Sequence, residues 1–290
     1  MKTSRGYKIF TAANVVILLG VVFLTLYPFV NIIAQSLSSE SAIVSGRVNL
    51  LPIGFNIDTY KVVMSDRLFW VNYRNTVVYT IVATLISLVL TTMYAYAISR
   101  ARLRGRGLFI GIAVFTMFFN GGIIPNYILI SSLGIMNTMW AIVIPNAVSI
   151  FNLLVMKAFF ENMPLELEEA AAIDGLTTYG ILLRVVMPLS KAILATMLLF
   201  YAVSHWNSWF QAFLYLSDKE LFPVTMYLRN MIAGTSQTSD VAAASADAQT
   251  QISSNIKAVT MVLTVLPILC VYPFVQRYFV SGVMLGSVKQ

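Results

Sequence analysis

Charged and chemically reactive side chains are scarce in this sequence. Only 11% of its 290 residues are charged, against about 25% in a typical soluble domain, while 58% are hydrophobic and the mean hydropathy is +0.79. A single histidine and a single cysteine exclude an internal disulfide and a His/Cys metal site. No Gly-x-x-x-x-Gly-Lys-Ser/Thr loop is present, which excludes ATP hydrolysis by that route. We therefore expect no catalytic residues, no metal and no cofactor.

Long apolar runs dominate the chain instead. A helix needs about 20 mostly apolar residues to cross the hydrocarbon core of a bilayer. Six runs qualify, at about 12–34, 76–98, 108–131, 138–160, 188–214 and 257–279. The sequence thus predicts an all-α polytopic membrane protein with six transmembrane helices. We expect a short N-terminal segment, 1–11, followed by one transmembrane domain, 12–290.

Basic residues predict the orientation of this domain. Two clusters lie beside the spans, one at the N-terminus and one between the second and third runs: Lys2, Arg5, Lys8, Arg100, Arg102, Arg104 and Arg106. Because Lys and Arg collect on the cytoplasmic side, both termini and the loop 161–191 should be cytoplasmic. Loops 35–75 and 215–256 should then face outward. We interpret the four arginines as a topology signal.

The loop 161–191 differs from the rest of the chain. Its first half holds five of the twelve acidic residues, and three glutamates crowd a predicted first helical turn, where the helix dipole favours carboxylates. Gly175 suits the C-terminal stop of that helix. Thr177 or Thr178 can cap a second short helix, which Pro188 should end. The pattern predicts a helix, a glycine turn and a second helix.

A motif in this loop resembles the EAA loop of ABC importer permeases. The spacing is Glu169-Ala170-Ala171, three residues, Gly175, nine residues and Val185-x-Met187-Pro188, with Val185 and Met187 replacing the usual isoleucine and leucine. The Trp206-Asn207-Ser208-Trp209 stretch and the Phe222-Pro223 loop resemble the maltose-permease-like carbohydrate branch. Asn120-Gly-Gly-Ile-Ile-Pro125 and the tail 272–289 resemble its sub-branch for complex polysaccharide fragments, including uronic-acid oligosaccharides from pectin or alginate.

This resemblance implies an ATP-driven oligosaccharide importer in a bacterial cytoplasmic (inner) membrane. The implied partners are a second homologous permease, two cytoplasmic ATPase subunits and an extracytoplasmic solute-binding protein, with no nucleic acid. The residues implied to dock in an ATPase subunit are Glu169, Ala170, Ala171, Asp174 and Gly175. The two alanines would let the helix approach closely, and the two acids would pair with partner cations or cap backbone. An ordinary helix–turn–helix connector is the alternative.

Polar and aromatic residues in the spans are candidates for lining a substrate path: Asn120, Asn146, Asn152, His205, Trp206, Asn207 and Trp209. The amides and the histidine could bind sugar hydroxyls, and the tryptophans could stack on sugar rings. A spacing of three would place both tryptophans on one helix face. Helix interruption, packing and the usual interfacial position of tryptophan are the simpler alternatives.

Two other functions remain open on the sequence. A secondary transporter needs ionisable groups within its spans, but 76–98, 108–131 and 187–214 contain no Asp or Glu. A membrane scaffold that merely recruits a soluble partner through the loop 161–191 is the second alternative.

Overall fold

The computed structural model describes residues 5–237, 254–270 and 273, and every regular element among them is helical. The α-helices are α1 Arg5–Ser36, α2 Glu40–Val44, α3 Asp58–Ser65, α4 Arg67–Ser99, α5 Arg106–Phe118, α6 Ile123–Ser132, α7 Trp140–Val143, α8 Ile150–Glu161, α9 Glu166–Ile173, α10 Thr178–Ile181, α11 Met187–Leu189, α12 Lys191–Trp206, α13 Trp209–Tyr215, α14 Val224–Gln237 and α15 Ser254–Cys270. A π-helical turn, Leu182–Val186, joins α10 to α11, and a 3-10 turn, Lys219–Leu221, precedes α14. The all-α prediction is confirmed. Most of the tail 272–289 that carried part of the resemblance lies outside the described residues.

Two helices are long and apolar enough to cross a membrane, Gly6–Ser36 and Arg67–Ser99. Two further candidates are bent helix pairs. The pair α5 and α6 is bent by 117°, and the pair Thr178–Leu189 and Lys191–Trp206 is bent by 87°. The described residues therefore contain two candidate spans, or four if each bent pair is one span, and the count of six stays a prediction.

Polar interruptions divide two further predicted spans, besides the run 108–131 that forms α5 and α6. In the run 138–160, α7 ends at Val143 and α8 begins only at Ile150, after Pro145 and Asn146. Pro145 lacks an N–H for a helical hydrogen bond, which explains the break. In the run 188–214, Asn207 and Ser208 separate α12 from α13. Each of these two runs therefore contains two helices, and whether each run is one span stays a prediction.

The described residues group into two compact units. The first contains the residues up to Trp70 and those from Tyr227 to Leu266. Within it, the Asn255 amide donates to the Ser38 carbonyl at 3.1 Å, and the Tyr227 hydroxyl donates to Asp66 at 2.6 Å. Burial and the neighbouring Asp66 carboxylate raise the pKa of Tyr227 well above its ordinary value. The prediction of a single transmembrane domain stays a prediction.

Helix α1 contributes little to the packing of this first unit. None of its most apolar 18-residue window is buried. Its C-terminal end is held by Asn31, whose amide donates to the carbonyls of Val48 at 3.2 Å and Asn49 at 2.7 Å. Such an apolar surface requires lipid or another chain around it.

The second unit contains Val71–Met226 and is built around α4. Near the start of α4, the Asn75 amide donates to the carbonyls of Glu220 at 2.6 Å and Phe222 at 3.2 Å. Thr76 Oγ1 accepts from the Val224 N–H at 2.7 Å. These contacts satisfy backbone groups that have no partner within a helix, and they fix the 3-10 turn against α4.

At the other end of α4, Arg100 binds the loop 161–191. Its side chain is 6% exposed and forms an ion pair with the equally buried Glu168 of α9. Arg100 Nη1 also donates to the Phe160 carbonyl at 2.9 Å, and the guanidinium lies 5.1 Å from the centre of the Tyr96 ring. The Tyr96 hydroxyl donates to the second carboxylate oxygen of Glu168 at 3.2 Å. Helix α9 is thus fixed to α4 by charge and hydrogen bonds.

A second arginine of the same cluster binds the beginning of this loop. Arg106 donates from Nε to the Ile98 carbonyl at 2.7 Å and pairs with Glu161. Lys157 Nζ also reaches Glu161, at 2.8 Å. The turn 100–105 and the loop 161–191 therefore lie at the same end of the second unit, and their cytoplasmic orientation stays a prediction. The topology role of the four arginines stays a prediction, and Arg100 and Arg106 also have structural partners that lie far away in the sequence.

Glu168→Gln should lower the free energy of unfolding by about 3 kcal/mol, since it leaves a buried guanidinium without a counter-charge. The double change Arg100→Met and Glu168→Met should recover much of this loss, because it removes both desolvation penalties. Thermal unfolding in detergent and protease cleavage of the loop 161–191 measure the effect. The exposed Arg102 provides the matched control, and Arg102→Gln should change stability by less than about 0.5 kcal/mol. Equal losses in the free energy of unfolding for Arg100→Gln and Arg102→Gln would contradict a stabilising role of the buried Arg100–Glu168 pair.

Candidate functional site

Helix α9 has the termini that its sequence predicted. Glu166, Glu168 and Glu169 occupy its first turn. At its C-terminus Gly175 has a φ of +82°, its N–H donates to the Ala172 carbonyl, and the Leu176 N–H donates to the Ala171 carbonyl, both at 3.0 Å. This is a Schellman motif, in which a glycine in the left-handed conformation satisfies the last helical carbonyls. The helix stop at Gly175 is confirmed.

The two faces of α9 have different surroundings. Glu168 and Ala171 point into the second unit, and Ala171 is only 6% exposed in its main apolar core. Ala170 and Ile173 are exposed, Ile173 at 87%. Ala171 therefore packs within this chain, and Ala170 with Ile173 forms the apolar part of the outward face. Ile173 was not among the predicted docking residues, although an apolar residue just before the helix stop is a local signal for such a contact.

Glu169, Asp174 and Gly175 are exposed on or beside the same face. We name the outward residues of α9 and its C-terminal turn the α9 surface, which comprises Leu167, Glu169, Ala170, Ile173, Asp174 and Gly175. The surface combines a small apolar patch with two carboxylates. Helix α9 is held from behind by the ion pair of its Glu168 side chain with Arg100, so it can contact another protein without losing this support.

The second short helix begins as predicted and ends later. Thr177 Oγ1 accepts from the Gly180 N–H at 3.3 Å and caps α10. The chain then passes through the π-helical turn and across Pro188 to Leu189. Pro188 lies in the first turn of α11, where its missing N–H is tolerated. The prediction that Pro188 ends this helix was wrong, and the sharp bend lies between Leu189 and Lys191.

A polar cavity of about 630 Å³ lies in the second unit, where α8, α12 and α13 meet the two helix breaks. Four predicted path residues line it: Asn146, Asn152, His205 and Asn207. Further hydroxyl and amide groups come from Ser149, Tyr201, Ser204, Ser208 and Gln211. Among the described residues of the lining there is no Lys, Arg, Asp or Glu. The cavity offers many neutral hydrogen-bonding groups beside interrupted backbone.

His205 is held in the cavity wall by residues that the sequence analysis did not select. Its Nε2 lies 3.0 Å from Ser87 Oγ on α4, and its ring stacks on Tyr201 with 6.0 Å between ring centres. The Tyr201 hydroxyl lies 2.6 Å from Thr91 Oγ1 and accepts from the Ser149 N–H at 3.1 Å. The wall therefore joins α4, α12 and the start of α8. The small polar residues recur regularly along α4 in the sequence, and this spacing is a signal that could have identified the residues that contact His205 and Tyr201.

Three predicted path residues lie outside this lining. Asn120 accepts from the Gly122 N–H at 2.9 Å and stabilises the bend between α5 and α6. Trp206 is buried against the Tyr73 ring, with 6.0 Å between ring centres. Trp209 begins the next helix, so the prediction that both tryptophans share one helix face was wrong. In residues 5–237, 254–270 and 273, no three acidic, histidine or cysteine side chains come together as a metal site requires.

Comparison with known proteins finds relatives along the whole chain. Protein LplC of Bacillus subtilis (strain 168) is 37% identical over 100% of this chain and 98% of its own length. The polygalacturonan/rhamnogalacturonan transport system permease protein YtcP of the same organism is 37% identical over 90% of this chain and 92% of its own length.

A solved structure has the same fold. It is a chain from the crystal structure of a bacterial ABC transporter involved in the import of the acidic polysaccharide alginate. The TM-score is 0.87 with 36% identity, and the match covers 96% of this chain and 99% of that chain.

Residues 105–284 match the family described as binding-protein-dependent transport system inner membrane component. That match includes the bend between α5 and α6, the α9 surface and the polar cavity. Together with the full-length relatives, it shows that this chain belongs to the family of inner membrane components of binding-protein-dependent transport systems.

Proposed function

We propose that this chain forms half of the translocation path of an ATP-driven importer for acidic oligosaccharides, and that the α9 surface couples the path to an ATPase. The family is one of ABC importer permeases, and sugar transport permeases are among the relatives. The observation that carries the coupling role is the position of α9. Its outward face is exposed, while the buried Arg100–Glu168 pair connects it to the helix that lines the cavity wall.

The ATPase would be a separate subunit, docked on the cytoplasmic side. A short amphipathic helix that enters a groove is a common mode of protein recognition. Ile173 and Ala170 would supply the apolar contact, and Glu169 and Asp174 would pair with cations of the groove. Closure of two ATPase subunits would then move α9, and the cavity would open alternately to either side. A second homologous permease and an extracytoplasmic solute-binding protein complete this assembly.

Acidic oligosaccharides are proposed from the relatives named for polygalacturonan/rhamnogalacturonan and alginate transport. The neutral cavity suits sugar hydroxyls rather than carboxylates. A carboxylate buried beside a lysine or arginine would be held tightly, which slows release. We therefore assign hydroxyl contacts to Asn146, Asn152 and His205, and leave the carboxylates to water or to the second permease.

Replacing Ile173 by serine should weaken ATPase docking at least tenfold, because it removes the most exposed apolar side chain of the α9 surface. Stability should be unchanged, since the side chain makes almost no contact within this chain. Co-purification of the ATPase with the permease measures docking. Leu51, which is 76% exposed in another loop, provides the control Leu51→Ser. Normal docking and uptake by Ile173→Ser would show that α9 is not the coupling element.

Gly175→Val should impair coupling by distorting the backbone. A Cβ at this position meets no atom within 4 Å, so the effect arises from the positive φ alone. A β-branched residue in this conformation costs on the order of 1–3 kcal/mol, while Gly175→Asn, which tolerates it, should retain most function. Substrate-stimulated ATP hydrolysis by the assembled importer distinguishes them. Equal activity of the valine and asparagine variants would exclude a requirement for this turn.

Asn152→Leu should reduce uptake about tenfold with docking unchanged. A lost hydrogen bond is worth about 1 kcal/mol and an unpaired partner group more, and about 1.4 kcal/mol corresponds to a factor of ten. Uptake of labelled oligosaccharide by the complete importer measures the effect. Asn126 of α6 is exposed and outside the cavity, so Asn126→Leu serves as the control. Equal uptake by the two variants would remove the cavity from the path.

Measurements of uptake separate this function from the two alternatives. Uptake should stop when the partner ATPase carries a hydrolysis-dead substitution. Uptake that survives would indicate a secondary transporter. A second measurement removes this chain. Uptake that persists without it, although the intact chain recruits the ATPase normally, would indicate a scaffold.

A further inference from the structure

A second cavity, of about 390 Å³, lies between the end of α4, the turn that follows it and α10. Its apolar side is formed by Met93, Ala97, Leu103 and Leu182. Arg102 and Arg104 contribute to its polar side, and none of the described residues in its lining is acidic. The cavity is separate from the neutral one beside His205.

Three arginines of the cluster line this cavity, and Arg102 and Arg104 differ from the third, Arg100, and from the neighbouring Arg106. Arg100 and Arg106 are bound to Glu168 and Glu161, so their charges are neutralised locally. The side chains of Arg102 and Arg104 are exposed. Two positive charges on one wall, with no carboxylate in the lining, form a site for an anion.

The apolar part of the cavity indicates what kind of anion fits. Met93 and Ala97 are four residues apart on α4, so they lie on one helix face. Met93 is 44% exposed and Ala97 is exposed as well, although α4 is a candidate membrane span. The cavity therefore continues from the arginines onto an exposed side of α4. A soluble anion would use only the arginines, whereas a phospholipid would fill both parts.

We propose that this cavity binds an anionic phospholipid, with the phosphate at Arg102 and Arg104 and an acyl chain along Met93 and Ala97. Basic pockets beside spans at the cytoplasmic surface suit such lipids, and the cytoplasmic position rests on the proposed function. Thr178 and Tyr179 of α10 form the opposite wall. The lipid would thus contact both the end of α4 and the loop that carries the α9 surface.

The purified importer complex in nanodiscs tests this proposal. Phosphatidylglycerol retained by the complex is measured by native mass spectrometry after exchange against phosphatidylcholine. Arg102→Gln with Arg104→Gln should reduce retention at least fivefold. The control, Arg184→Gln with Lys191→Gln, removes the same charge from two exposed positions outside the cavity and should retain the lipid.

A second variant tests the apolar part without changing charge. Ala97→Trp should fill the cavity and displace the lipid, whereas Val89→Trp on the exposed side of α4 outside the cavity should not. Inorganic phosphate at about 10 mM should not compete, because it lacks the acyl contact. Competition by phosphate, or equal retention by both tryptophan variants, would overturn the assignment to phospholipid.

The measured retention of phosphatidylglycerol does not depend on transport. Retention needs no sugar, so lipid bound by a complex that fails to import would leave this site in place and contradict only the proposed function. If Arg102→Gln with Arg104→Gln lowers ATPase co-purification while phosphatidylglycerol retention is unchanged, the arginines contact the ATPase and the lipid site is wrong.

Discussion

The buried ion pair between Arg100 and Glu168 is the contact on which the arrangement of the proposed coupling region depends. Two charges that are each only 6% exposed stabilise one another by their opposite sign, and Tyr96 donates a hydrogen bond to Glu168 while Arg100 donates one to the Phe160 carbonyl. Apart, each would carry a large desolvation penalty. The pair therefore specifies one position of α9 on α4. A purely apolar contact would allow the helix to slide, and a moving part that must transmit force needs a defined attachment.

Helix α4 makes specific polar contacts at three levels. Near its start Asn75 binds the turn 219–222, in its middle Ser87 contacts His205 in the cavity wall, and at its end Arg100 binds α9. Between these points the apolar core fills the space. Polar contacts are strongest where water is excluded. Each of these three contacts therefore favours one position of α4 relative to the element that it binds. A displacement of α9 along α4 would therefore change the wall of the cavity, and this is the physical route that the proposed coupling to an ATPase would use.

The parts of this site that could be predicted from the sequence are those set by neighbouring residues. The glutamates of the first turn, the stop at Gly175 and the cap at Thr177 all depend on backbone groups within a few positions, so local patterns were sufficient. The partners of Arg100 and His205 are far away in the sequence, and nothing local distinguishes Arg100 from Arg102. The broken helices at Pro145 and Asn207 were missed for a related reason. In an apolar run a break looks unfavourable until a polar cavity satisfies the free backbone groups.

The distribution of charge in the second unit also follows from its proposed task. The path must release its cargo, so neutral amides and hydroxyls that each contribute about 1 kcal/mol suit it better than charges. At the ends of the loops the charges are paired, and the Arg100–Glu168 pair is also buried. Arg102 and Arg104 fit neither category, because they are exposed and no acidic residue shares their cavity. In a chain with so few charges, two exposed arginines beside an apolar groove suit the headgroup of the phospholipid that we propose, and the membrane is its nearest source.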